Sequence, residues 1–200
     1  MTLPPHRPKA AAFPVLLAVA LAACGTAARQ SAEPGATSSP RYVEADVRFM
    51  QGMIGHHAQA LVMTDMVAER TESEDFRRLA RRIDVSQKDE IARMRRWLEA
   101  RGEPVPEEHA HGPLMPGMLT EEELARLGGA TGTEFQRLFL EFMIRHHEGA
   151  LVMVADLFST ESAGEEPELF RFASHVDSDQ RAEIARMRGM LSTSPQGGTE

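Results

Sequence analysis

The sequence predicts an all-α fold, a four-helix bundle built from two tandem helical-hairpin repeats, and three observations predict it. The first is a fifteen-residue segment written twice, FMQGMIGHHAQALVM at Phe49 to Met63 and FLEFMIRHHEGALVM at Phe139 to Met153, identical at nine positions. Each copy is followed by an echo, DVSQKDEIARMR from Asp84 and DSDQRAEIARMR from Asp177, identical at eight positions of twelve. A self-similarity of this length makes the chain a tandem duplication and governs the reading of everything else. The second observation is apolar spacing of helical period in four long segments, with no alternating Val/Ile/Thr run that would argue for strands. The third is size: Tyr42 to Leu191 is about 150 residues, enough for one core.

Repeat one spans residues 46–101. Its first helix is expected from about Asp46 to Glu69 and its second from about Ser73 to Arg101, with Thr71 and Glu74 at capping-box spacing and Gly102 at the end. A linker, residues 102–132, crosses to the second repeat. Within it Thr120 and Glu123 have box spacing and Gly128-Gly129 stops the pattern, so a short helix is expected over 120–127. Repeat two spans 133–191, its first helix starting after Thr133 with Gln136 three residues on, and its second at Pro167, a favoured first-turn residue. Each long helix is about 25 residues, or roughly 37 Å. Together residues 43–192 form the bundle, and 193–200 is a loose polar tail.

A helical wheel shows what the repeats keep inside. In the first helix Phe49, Met53, His56, His57, Ala60, Met63, Thr64 and Val67 share one face, with Arg48, Gln51, Asp65 and Glu69 opposite. His146 and His147 take the same positions in repeat two, with Met143 and Met153. In the second helix Ala80, Ile83, Gln87, Glu90, Ile91, Met94 and Leu98 face inward, as do Gln180, Glu183 and Met187 in the fourth. Four His, two Glu and two Gln in a bundle core are costly unless they satisfy one another or bind something.

Two physical accounts compete. In one, Glu90 and Glu183 accept hydrogen bonds from the histidines, Gln87 and Gln180 complete the network, and a polar belt fixes which helices pair. In the other, imidazole nitrogen and thioether sulfur ligate a transition metal: Met53 lies one turn before His56 and His57, and that donor set suits Cu(I) better than Mg or Ca. Beyond Met1 the chain has eleven methionines, although methionine also fills cores. The candidate metal residues are therefore Met53, His56, His57, Met63, Met143, His146, His147 and Met153, with Glu90 and Glu183 as lesser candidates. The linker adds a third candidate, a polar EEHAHGPLMPGM tract in which His109, His111, Met115 and Met118 could catch copper or simply pack on the bundle. His175 has no counterpart in repeat one and reads as a surface residue. An imidazole must be neutral to ligate, so affinity should fall below its pKa.

The amino terminus carries an address. Residues 1–23 have Arg7 and Lys9, an apolar stretch and Leu-Ala-Ala before Cys24, the only cysteine. This is the pattern of a secretory signal peptide, too short to span a membrane, and Leu-Ala-Ala-Cys resembles the bacterial lipobox, which makes Cys24 the acylation site. The alternative is an ordinary cleavage after Ala23 or Ala28. Acyl chains at Cys24 would hold the protein on a membrane, each buried methylene adding about 0.8 kcal/mol. Residues 24–42, rich in Ala, Ser, Thr, Gly and Pro, form a flexible tether. Without residues 1–23 the chain has 20 basic and 30 acidic residues, a net charge of −10. That excludes a nucleic-acid partner.

The doubled F-x-x-x-M-I-x-H-H-x-x-A-L-V-M, each copy followed by Q-x-x-E-I-A-R-M, resembles the bacterial family known as domain of unknown function 305, over about Asp46 to Leu191. The linker's MPGMLT resembles it too. The resemblance implies a ferritin-like four-helix bundle, secretion, and copper binding through Met and His in at least one member. It leads to an expectation of a lipid-anchored envelope protein that binds and buffers copper without turnover, through the residues named above. A metal-free structural or protein-interaction module, with its partner unknown, is the alternative. A di-iron oxidase is a further one, but it needs Glu-x-x-His on two helices and four inward carboxylates. No Glu-x-x-His falls in the four long segments, and only Glu90 and Glu183 point firmly inward. No Ser-His-Asp or Cys-His arrangement and no Gly-rich phosphate loop is visible.

Overall fold

A computed structural model describes residues 42–107 and 114–193. Cys24, nearly all of the tether, His109 and His111 lie outside the described residues. The elements are α1 (Glu44–Asp65), α2 (Val67–Arg70), α3 (Glu74–Glu99), α4 (Glu121–Gly129), α5 (Gly132–Ser159) and α6 (Pro167–Thr193). No strand occurs among the described residues. The all-α bundle of two hairpins is as expected, α2 continuing the first helix after a break at Met66. No described helix is long and apolar enough to cross a membrane.

Helix α1 packs on α3, α5 on α6, and the hairpins meet along α1 and α5. Those two helices run antiparallel, because Met63 shares a core cluster with Phe139 and Met143 whereas Met53 shares one with Ala150 and Val154. The bundle thus has two apolar clusters, one toward each end. Phe76, Phe135 and Phe139 centre one and Trp97, Leu169 and Phe172 belong to the other. Buried Asp46 and Thr64 lie nearer the ends of α1, while each long helix places two inward polar residues between the clusters: His56-His57 in α1, Gln87 and Glu90 in α3, His146-His147 in α5, and Gln180 with the half-buried Glu183 in α6. Their matched heights follow from the duplication, since each hairpin places its His pair opposite its own Gln and Glu.

Helix starts correct two sequence expectations. Thr71 and Glu74 form no capping box; Ser73 is the N-cap of α3, its hydroxyl accepting from the Phe76 amide at 3.5 Å. Thr71 is buried, and its hydroxyl accepts from the Ser73 amide at 3.1 Å and the Gln136 amide at 2.6 Å. Gln136 is thereby taken from Thr133, which lies inside α5 rather than at its cap. A tertiary hydrogen bond has overridden a local one. The Thr120–Glu123 box does form and starts α4, and Pro167 opens α6 as expected. The α5–α6 turn is fixed from a distance by buried Asp46, which accepts from the Gly164 amide at 2.7 Å and from its own helix start at Val43 at 3.0 Å.

Candidate functional site

The polar layer is assembled from all four long helices, and each histidine in it is held by one ring nitrogen. His57 Nε2 donates to Glu90 at 2.6 Å and His147 Nε2 to Glu183 at 2.6 Å. His56 Nε2 donates to the Pro116 carbonyl at 3.0 Å, and His146 Nε2 to the His56 carbonyl at 2.9 Å. A carbonyl only accepts, so the proton of His56 and of His146 sits on Nε2 and the lone pair on Nδ1. The two rings stack across the α1–α5 seam with centroids 3.9 Å apart. The repeats therefore build one shared layer rather than two separate sites.

All four Nδ1 atoms are buried without a hydrogen-bond partner, and so are both amide atoms of Gln87, Oε1 of Glu90 and Oε1 of Gln180. The hydrogen-bonded belt is thus only half formed. The carboxylates do accept from the histidines, but Gln87 and Gln180 do not complete the network. Bare buried polar atoms cost about 1–3 kcal/mol each, so the set is comparable to a domain's whole stability of about 5–15 kcal/mol. Buried polar atoms are normally paired with protein groups or ordered water, so this set is open to water or to a ligand.

Burial leaves the expected pH sense as it was and moves its range toward acid. The His56 imidazole is pushed down to about 3, first by loss of water around the charged ring and then by the neighbouring His57. Burial, with His56 beside it, holds His146 well below the usual range. Both rings stay neutral, and so able to ligate, far into acid.

The methionines frame the layer. Met63 and Met143 lie on one side and Met53 on the other, all fully buried, while Met153 is half-buried on the side of Met53. Met115 and Met118 are half-buried too. Met115 lies over Gly52 and Gly55 of α1, close to the Met153 methyl, and its amide points at the Met118 sulfur at 3.4 Å. The linker methionines therefore pack on the bundle. Glu90 and Glu183, considered as ligands, are engaged with histidine. Glu183 alone of the two pairs reaches a surface groove, which runs between α3 and α6 past Arg82, Ser86, Asp179 and Arg186. His175 is exposed and faces Asp179 at 3.3 Å. Among the described residues no three His, Cys, Asp or Glu side chains are grouped to hold a metal ion. The Pro116 carbonyl was not foreseen, because a backbone acceptor leaves no residue-type signal.

Solved structures share this architecture. A fragment from Deinococcus radiodurans is 34% identical, covers 76% of this chain and 97% of its own, and superposes with a TM-score of 0.66. A Streptomyces coelicolor protein of the same family is 30% identical over 78% of this chain and 97% of its own, with a TM-score of 0.66. CopM, solved with Cu(II), is 29% identical over 74% of this chain and 95% of its own, at a TM-score of 0.60. CopM has also been solved with Cu(I) and with Ag. No curated protein sequence matches the chain significantly. The family described as domain of unknown function (DUF305) matches residues 46–191, the whole bundle with both histidine pairs, and the chain belongs to that family.

Proposed function

We propose that this protein is an envelope metal-binding protein that takes copper, as Cu(I), between the imidazoles of the central layer and the flanking thioethers, and buffers it without turnover. The observation that carries the reading is the state of the four histidines. Each has Nε2 held by a carbonyl or carboxylate and Nδ1 bare inside the bundle. Metal-ligating histidines are oriented in this way, the second nitrogen donating to an outer acceptor that fixes the tautomer. Met53, Met63 and Met143 add buried sulfur at the edges of the layer. Copper(I) is the ion a nitrogen and thioether set suits best. The binding of Cu(I), Cu(II) and Ag by the similar CopM supports the choice. Both layer carboxylates are engaged by histidine, which argues against a di-iron centre.

One alternative has an observation of its own. The His57–Glu90 and His147–Glu183 hydrogen bonds form without metal, as a purely structural belt would have them. A Cu(I) titration of the chain from residue 25 onward, against a chromophoric chelator under anaerobic conditions, separates the two. Stoichiometric uptake that is lost when His56, His57, His146 and His147 become Leu in a still-folded protein is the expected result. Equal affinity in that variant would remove the layer from the function, and no uptake by either would leave the structural belt. The anchor at Cys24 is part of the proposal: labelling with a radioactive fatty acid should mark the chain and be abolished by Cys24→Ser, and an unlabelled wild-type chain would exclude it.

A further inference from the structure

The duplication is unequal in a telling place. The two fifteen-residue copies differ at six positions, and three of those pairs, Gly52/Phe142, Gly55/Arg145 and Gln59/Gly149, supply five residues, all but Phe142, that lie against the linker segment 114–119, a strap over the α1–α5 seam. Gly52 and Gly55 leave room for Met115, whose sulfur would sit 3.3 Å from a Cβ at 52. Gln59 clamps Leu119 by both of its backbone groups, accepting from its amide at 2.7 Å and donating to its carbonyl at 2.9 Å. Gly149 admits the Pro116 carbonyl so closely that a Cβ there would meet its oxygen at 1.9 Å. Gly117, at φ 76°, turns the segment in that gap. Beyond the segment, Arg145 grips Glu123 of α4 by its two terminal guanidinium nitrogens, each at 2.6 Å. The strap therefore has a built seat, and the seat is where one repeat departs from the other.

That seat has a consequence inside the bundle. The duplication gives His146 the His56 carbonyl as its acceptor, whereas His56 takes Pro116 of the strap. We infer that the strap is a positioning element for the histidine layer: seated by Gly149 and Gln59, it presents the Pro116 carbonyl that holds His56 in the tautomer with Nδ1 bare inside the bundle. Without the strap, His56 loses its only hydrogen-bond acceptor, and either ring nitrogen can carry the proton. The tautomer effect stands without metal; its bearing on affinity rests on the copper reading above. Gly149 and Gln59 act through Pro116 and are positioning residues, not ligands.

The experiment compares metal-free wild-type chain from residue 25 onward with Gly149→Ala, using long-range nitrogen-15 imidazole spectra and amide hydrogen exchange. The wild type should show His56 protonated at Nε2 alone and a protected Leu119 amide. In Gly149→Ala the His56 signals should move to a mixture of tautomers while His57 and His147 stay unchanged, and Leu119 should exchange at least about 10-fold faster. Gln59→Leu removes the clamp without inserting an atom into the seam and should give the same spectra if the alanine variant fails to fold. Unchanged His56 tautomer and Leu119 protection in the folded variants would overturn the proposal. Cu(I) affinity of these variants should fall by about 10- to 100-fold, the range for losing an outer acceptor. If wild-type chain takes no Cu(I), the copper reading fails, and the tautomer result alone decides the role of the strap.

Discussion

His56 and His146 show how burial turns a residue type into a pH dependence. In the unfolded chain each titrates near 6.5, whereas in the fold burial lowers His56 to about 3 and His146 well below its usual value. At pH values between, the unfolded chain binds protons that the native state refuses. The stability from these depressed groups is therefore complete above about pH 6.5 and declines as pH falls toward the folded values. Once the unfolded rings are protonated, each contributes a slope of about 1.4 kcal/mol per pH unit. Urea unfolding between pH 7.5 and 5, above the range where most carboxylates titrate, should show the midpoint falling steadily with acid. Replacing both rings by Leu should flatten it, and a flat wild-type profile would mean that the rings are hydrated or charged in the fold. Their inward placement was legible in the sequence, because nine identities between the copies singled out the His pairs and the wheel placed them with the apolar stripe. Their acceptors were only half legible. Glu90 and Glu183 share a face with known core residues, but nothing in the residue types points to a proline carbonyl sixty residues away.

Among the elements, the four long helices were read from period alone, and boundaries followed wherever a cap uses only neighbours. The Thr120–Glu123 box formed as written, since Glu123 can accept from the Thr120 amide and still hold Arg145, so its tertiary ion pair does not compete with the local cap. The same spacing at Thr71–Glu74 and Thr133–Gln136 misled, because Thr71 is buried and Gln136 reaches it across the hairpins. This difference is measurable by substitution. Thr133→Ala should leave stability within about 0.5 kcal/mol of wild type, as for an ordinary surface change. Thr71→Ala strips the Gln136 amide and the Ser73 amide of an acceptor and should cost about 1–3 kcal/mol. Ser73→Ala should cost about 1 kcal/mol as a lost N-cap. Equal losses at Thr71 and Thr133 in chemical denaturation would restore the two local boxes and discard the cross-hairpin bond.

Across the whole molecule, duplication explains why the polar layer is tolerated and why neither hairpin can do without the other. Within one hairpin, α1 and α3 supply His57 with Glu90, but the stacking partner of His56, His146, comes from α5. Separating the repeats would expose the apolar faces that meet along α1–α5, together with the strap seat, which draws on both. Apolar burial stabilises at about 25 cal/mol per Å², while ordering the chain costs about 1–2 kcal/mol per residue. A hairpin of two 25-residue helices without its partner face therefore falls short. The expected outcome is that residues 42–107 alone show partial helicity without a cooperative thermal transition, whereas the full bundle unfolds in one. Adding residues 114–193 to that fragment should restore a cooperative transition, with concentration dependence in place of the covalent link. A monomeric first hairpin that melts cooperatively by itself would show that the repeats are independent units, and the single shared histidine layer would then be an accident of their packing rather than what holds them together.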